Sequence, residues 1–202
     1  MKIDMHVHSK YSRDSSISYN QIKNCKMDYI CLTDHDSYNW DKFKGLNIIK
    51  GVEKTIIEES GNKFHLLIYF LNEEIKSNTF NEVMDEVKQQ DAYTSLAHPY
   101  DFLRKAPKNP EMYCKRVDAI ETINSRIIIP FSNSKAKKLA IKHNLNQTAG
   151  SDAHHYSEIG NAYVECASNE IEDLRKKLKV KGHSSLPHVH LFSFLSKYNL
   201  LR

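Results

Sequence analysis

The sequence predicts a single α/β domain, because short β-rich apolar runs alternate with helical stretches and no Gly/Ser/Pro-rich linker divides them. Seven runs read as strands: Ile3–Val7, Tyr29–Thr33, Asn47–Val52, Phe64–Leu71, Thr94–Ala97, Val117–Thr122 and Gln147–Gly150. Helical patterns lie between and after them, at Tyr19–Lys26, Thr55–Ser60, Thr79–Gln90, Asn133–Asn144 and Ile171–Lys179. The clearest is Thr79–Gln90, where Phe80, Val83, Met84 and Val87 fall on one face at helical period. Such alternation argues for a mostly parallel sheet with crossover helices. Seven strands suit a closed barrel better than an open sheet.

Composition bounds the function. At 202 residues, with 27% charged and 40% apolar residues, the chain has the balance of a soluble globular domain with a sizeable core. No apolar run approaches the roughly 20 residues that span a bilayer. The opening MKIDMHVH carries acids and histidines where an export signal would have an apolar core, so a cytoplasmic protein is expected. Cys25, Cys31, Cys114 and Cys166 form no CxxC pair and read as reduced, packed thiols. The net charge of +4 decides little, although Arg175, Lys176, Lys177, Lys179 and Lys181 cluster near the end. That cluster reads as a solvated helix face before it reads as an attractor of phosphorylated substrates or nucleic acid.

The eleven histidines need explaining, and their positions matter more than their number. His6 and His8, Asp34 and His35, Glu53, His98, and Asp152 and His154 each sit at or just past the C-terminal end of a predicted strand. His65 alone lies near the start of its run. In parallel α/β folds the C-terminal strand ends form one face, where chemistry collects. Residues far apart in sequence would then converge on one rim.

Each motif has a physical rationale. HVH at His6–His8 places two imidazoles at i and i+2, on one side of an extended strand, and Asp14 follows within reach of a turn. HVH recurs at His188–His190, away from any strand end with acids, and is read there as surface or structural. In TDHD, His35 is the ligand candidate and Asp34 is suited to orienting an imidazole through its other nitrogen. Glu53, closing GVE, offers a carboxylate able to bridge two ions. His65 and His98 stand beside apolar residues, a setting also common for buried structural histidines. GSDAHH repeats the i, i+2 arrangement with Asp152 and His154, behind a glycine that permits close backbone approach.

Taken in order, His6, His8, Asp14, His35, Glu53, His65, His98, Asp152 and His154, in the contexts DMHVHS, LTDH, GVE, HLL, AHP and GSDAH, resemble the PHP (polymerase and histidinol phosphatase) family. AIETINSR at Ala119–Arg126 also looks like that family's sixth strand. The resemblance runs over residues 1–165, leaving 166–202 as a C-terminal helical segment packed on the same domain. It implies a distorted (β/α)7 TIM-like barrel with a metal site at the strand C-termini. One ion would be held by His6, His8, Glu53 and Asp152, a second by Glu53, His65 and His98, and a third by Asp14, His35 and His154. Mixed imidazole and carboxylate ligands suit manganese, zinc or iron.

The implied activity is hydrolysis of a phosphate ester by metal-activated water at a site of two or three ions. Glu53, Asp152 and His154 are the expected catalytic residues. Arg126 is the first choice for holding the substrate phosphate, ahead of Lys10 and Arg13. A small phosphomonoester, histidinol phosphate-like or a nucleotide, is the leading substrate. An exonuclease acting on short nucleic acid, a phosphotyrosine phosphatase, a metal-dependent amidohydrolase and a non-catalytic PHP scaffold are the competing readings. The apolar stripe of the tail, Leu191, Phe194, Leu195 and Tyr198, suits a closing helix or a dimer contact.

Overall fold

A computed structural model describes residues 1–129, 131–167, 171–176 and 178–183. Among these, nine strands form one sheet: β1 Lys2–Val7, β2 Tyr29–Leu32, β3 Ile48–Ile57, β4 Lys63–Tyr69, β5 Tyr93–Leu96, β6 Ala119–Asn124, β7 Asn146–Gly150, β8 Ala162–Glu165 and β9 Lys179–Gly182. Their order is β7-β6-β5-β4-β3-β2-β1-β8-β9. Three α-helices accompany them: α1 Tyr19–Lys23, α2 Phe80–Gln89 and α3 Ser132–Lys142. No described helix is long and apolar enough to cross a membrane.

The sheet nearly closes into a barrel. Past β7, Asp152 N–H donates to His6 O at 2.7 Å and His8 N–H to Ala153 O at 3.0 Å, and Val7 bridges Ala153 in parallel. Gly150 makes this seam possible, since a Cβ there would lie 2.3 Å from His6 Cβ. The α/β barrel expectation therefore holds at the level of a nearly closed sheet, but the regular seven-fold alternation does not. Pairings β3–β4, β4–β5, β1–β8 and β8–β9 are antiparallel.

Two local expectations are corrected. Thr55–Ser60 is not helical: the β-branched Thr55, Ile56 and Ile57 carry β3 onward, and a turn at Gly61 (φ +78°) leads into β4. Ile171–Lys179 is not a long helix either, but a 3-10 turn at Ile171–Arg175 followed by β9 on β8. The described residues past 165 thus add a turn and an edge strand to the sheet rather than a helical segment. The second HVH and the apolar stripe of the tail lie outside the described residues, as does Lys177.

The core has two layers. Val52, Leu66 and Ile120 pack with Val83 and Val87 of α2 and Leu139 of α3, between sheet and helices. Ile3, Met5, Ile49, Leu67, Tyr69 and Ala119 form a second cluster drawn almost wholly from strands, the barrel interior. Strand β1 changes layers: Met5 joins the inner cluster but Val7, two residues on, joins the outer one. A register irregularity between Asp4 and Val7 breaks the strand's period of two. This kink frees His6 and His8 to face the mouth of the barrel.

Candidate metal centre

The nine side chains singled out in the sequence converge at one end of the barrel. His65 is the instructive case. It begins β4, and β4 runs antiparallel to its neighbours, so its first residues lie beside the C-terminal half of β3, with His65 opposite Thr55. The apparent exception in sequence is thereby brought to the common rim.

Glu53 is the hub. Its side chain is 1% exposed, and its Oε1 lies 2.8 Å from His65 Nδ1 and 2.9 Å from His98 Nε2. Its Oε2 lies 2.9 Å from His35 Nδ1 and 3.4 Å from both His6 Nε2 and His8 Nε2. Asp152 Oδ1 stands 3.3 Å from His8 Nε2 and 3.7 Å from His6 Nε2. At the solvent side, Asp14 lies 3.2 Å from His154 Nε2 and 3.8 Å from His35 Nε2. Asp14 and His35 are 43% and 25% exposed, so this corner alone is open.

These residues fit divalent ions. Glu53 Oε2, both ring nitrogens of His65 and Nδ1 of His98 have no hydrogen-bond partner among the described residues, despite their close neighbours. His6 Nε2 and His8 Nε2 face each other at 3.1 Å, which without a proton or cation between them sets lone pair against lone pair. Ligand atoms at ~2.0–2.1 Å from one tetrahedral ion stand roughly 3.3 Å apart, and the contacts here scatter around that value. Sets of ligand atoms drawn from His6/His8/Glu53, His35/Glu53/His65 and His8/His35/His154 each lie within 4.8 Å of one another.

Electrostatics agree. Burial opposes ionisation of Glu53, but His65, His35 and His6 outweigh it and hold the carboxyl well below its usual range. Burial, with His154 and His35 alongside, pushes His8 well below the usual imidazole value, leaving the neutral form that ligates metal. His6 is pushed upward against burial by Asp152, Glu121 and Glu53, so a cation entering there would displace a proton. Backbone strain marks the site as well: His98 and Asp152 hold φ of +26° and +55°.

Several residues here were not foreseen. Glu121 accepts from His6 Nδ1 at 2.8 Å, fixing that ring's orientation, and receives His98 N–H at 2.8 Å. This is the imidazole-orienting role expected of Asp34, which instead accepts from the backbone and hydroxyl of Ser9. A charged residue within the apolar run AIETIN was the available signal for Glu121. Arg104 ion-pairs with Asp152 Oδ2 and with Asp101 at 2.7 Å and donates to Asn124 Oδ1 at 3.3 Å, and nothing in its sequence context announced it. Glu158, fully buried, accepts from the N–H groups of His154 and His155 and so shapes the loop after Asp152. Arg126 is half-buried, with Nη1 3.5 Å from Asp152 O. Lys10 and Arg13 are exposed. The described basic residues of the late cluster pair with acids at the opposite end of the barrel: Arg175 with Asp91, Lys176 with Asp173, Lys179 and Lys181 with Glu165.

Comparison with known proteins agrees with this geometry. Residues 130–181 match the PHP-associated family. The chain is 35% identical over 185 residues to the uncharacterized protein MJ0417 of Methanocaldococcus jannaschii, covering 85% of this chain and 73% of that one. A two-domain protein from Bacteroides vulgatus containing a predicted PHP-like metal-dependent phosphoesterase superposes over 91% of this chain with a TM-score of 0.71 and 20% identity. The chain belongs to the PHP family. It spans 65% of the Bacteroides protein's length. PsfC from Pseudomonas syringae, 13% identical, shares the fold over 99% of this chain and 98% of its own, with a TM-score of 0.70.

Proposed function

We propose that this PHP protein is a metal-dependent phosphoesterase that hydrolyses a small phosphomonoester at a centre of two or three manganese, zinc or iron ions. One observation carries the reading: a single buried carboxylate, Glu53, faces ring nitrogens of five histidines at 2.8–3.4 Å. Buried polar groups that face one another without hydrogen bonds are costly unless cations join them. Family membership and the likeness in fold to the Bacteroides protein support the same chemistry.

His6, His8, Glu53 and Asp152 would hold one ion, Glu53, His65 and His98 a second, and Asp14, His35 and His154 a third. When bound, such ions neutralise phosphoryl charge and lower the pKa of water. The protein's own groups do the rest. Against the penalty of burial, Arg104 and His6 hold the Asp152 carboxyl well below its usual range, so Asp152 contributes fixed charge and geometry. His154, with Nδ1 2.8 Å from Asp152 O and Nε2 3.2 Å from the exposed Asp14, lines the solvent side of the centre. Arg126 adds a cation on the side where substrate phosphate would arrive.

The test is phosphate release from histidinol phosphate, mononucleotides, phosphotyrosine and short oligonucleotides, with each metal added, for the protein and its Glu53→Gln variant. Glu53→Gln is expected to lose most activity and bound metal together. Full activity in that variant would remove Glu53 as the bridge. No release from any ester, with metal bound, would end the phosphoesterase reading.

A further inference from the structure

Two loops border the mouth of the site on one side. The first is the turn Asp101–Arg104 after β5, and the second carries Arg126–Ile129, with Phe131 just ahead of α3. They are tied together: Ser132 Oγ donates to Tyr100 O at 3.0 Å, and Asn124 Oδ1 accepts from both Arg104 Nη2, at 3.3 Å, and Arg126 N, at 3.0 Å. Both arginines reach Asp152, Arg104 at its carboxylate and Arg126 at its carbonyl.

Arg104 has capacity to spare. A guanidinium carries five N–H groups in a planar fork. Three bonds, to Asp101, Asp152 and Asn124, are made among the described residues, and the side chain is 27% exposed. Its remaining N–H groups therefore suit a phosphate oxygen placed beside Asp152.

The tips of the same loops are apolar. Phe102 is 74% exposed, Leu103 65%, Ile128 66% and Phe131 69%. They account for half of the large apolar side chains exposed among the described residues, and all four lie within five residues of Arg104 or Arg126. The turn explains why. Asp101 is buried and receives Leu103 N–H and Arg104 Nε, which pulls the arginine inward and leaves Phe102 and Leu103 at the tip.

We propose that this rim recognises substrate: Arg104 holds the phosphate, and Phe102, Leu103, Ile128 and Phe131 receive an aromatic leaving group. The proposal rests on the phosphoesterase reading and deepens it by naming a substrate class, aryl or nucleoside phosphomonoesters. A cationic floor beside an exposed apolar, two-phenylalanine border complements a molecule with an anion at one end and a ring at the other. Stacking and cation–π contacts of this kind favour rings over aliphatic groups by about tenfold or more.

The experiment is calorimetric binding of phenylphosphonate and methylphosphonate to the metal-loaded protein, to Arg104→Gln, and to a Phe102→Ser/Phe131→Ser double variant. Both phenylalanines are exposed, so the double variant should fold. Phenylphosphonate is expected to bind at least tenfold more tightly than methylphosphonate. The double variant should erase that preference, and Arg104→Gln should weaken both ligands alike. Competition by phosphotyrosine against a nucleoside monophosphate then tells which ring is preferred. Equal affinities for the two phosphonates would overturn the rim proposal and leave the phosphoesterase reading standing. If neither binds, that reading falls and the rim proposal with it. A double variant that keeps the preference but turns a dimer into a monomer would make the rim a contact between copies, and would equally overturn it.

Discussion

Gly150→Ala isolates the seam that closes the barrel. A Cβ at this position would lie 2.3 Å from His6 Cβ, 2.6 Å from His6 N and 3.0 Å from His6 Cα, all on the facing strand. No flexible side-chain end is available to yield. Restoring ordinary contact at roughly 3.5 Å requires β1 and β7 to part by about 1.2 Å. The seam bonds from Asp152 N to His6 O, His8 N to Ala153 O and Ser151 N to Asp4 Oδ1 would stretch with them. Overpacking costs about 1–3 kcal/mol, and three weakened hydrogen bonds cost about 1 kcal/mol each. A total on the order of 5 kcal/mol corresponds to a fall in Tm of about 10–20 °C for a chain of this size. The same movement separates His6 and His8 from Asp152 and His154. A displacement near 1 Å exceeds the roughly 0.5 Å tolerance of an organised site, so metal affinity should fall about a hundredfold. Thermal unfolding in chelator and calorimetric manganese titration read the two effects separately. Gly61→Ala is the control, because a Cβ there meets nothing within 4 Å and only its positive φ is penalised. A Gly150→Ala protein with unchanged Tm and unchanged manganese affinity would refute the seam argument.

Two further outcomes follow from the supporting groups. Glu121→Ala should weaken metal binding about 10–100-fold, because His6 loses the carboxylate that fixes its ring; Mn²⁺ titration of the variant checks this, and unchanged affinity would exclude the role. Asp4 is fully buried and accepts from Ser151 N, Gly160 N and His6 N; burial outweighs those bonds and pushes its carboxyl from 3.8 up to about 6. The folded state then binds this proton more tightly than the unfolded chain, so its stabilising contribution is complete below pH ~4 and lost as pH rises through 6. The rise is worth about 3 kcal/mol, and the stability advantage of the protein over Asp4→Asn, from urea unfolding in chelator, should shrink by that amount between pH 4 and 7; a constant difference would contradict it.

Much of the site was legible because its ligands follow strand ends, and strand ends are where apolar runs stop. His6 and His8, and Asp152 and His154, could be placed on one rim from that rule alone; Glu53 was placed there by ending its strand at Val52, whereas it lies inside β3, which runs on to Ile57. His65 could not, since a sequence of β-rich runs does not say which strands reverse. Strand β4 pairs antiparallel to β3 because the β3 run extends to Ile57 and turns at once, and a β-branched Thr-Ile-Ile followed by Glu-Glu-Ser-Gly reads equally as a helix start. The two late strands were missed for a similar reason. Ala162–Glu165 is short, and Lys179–Gly182 hides its strand character behind alternating lysines, which suit an exposed edge.

The groups that were least legible are those whose role is to hold others. Asp34 and Glu121 have the same chemistry, and only the fold decides which one reaches an imidazole. Register settles it. In β6, Glu121 lies two residues past Ala119 of the inner cluster and so turns into the barrel under His6. Asp34 follows β2 and meets Ser9 just beyond β1, outside that circle. The metal-facing atoms of His6 and His98 thus depend on one carboxylate that also touches Asn124, which in turn holds Asp152 and Arg104. Through this chain a change at Glu121 reaches both the ligand set and the arginine that faces the mouth. Phosphonate affinity should therefore fall together with metal affinity in Glu121→Ala, whereas Phe102→Ser should move the first without the second.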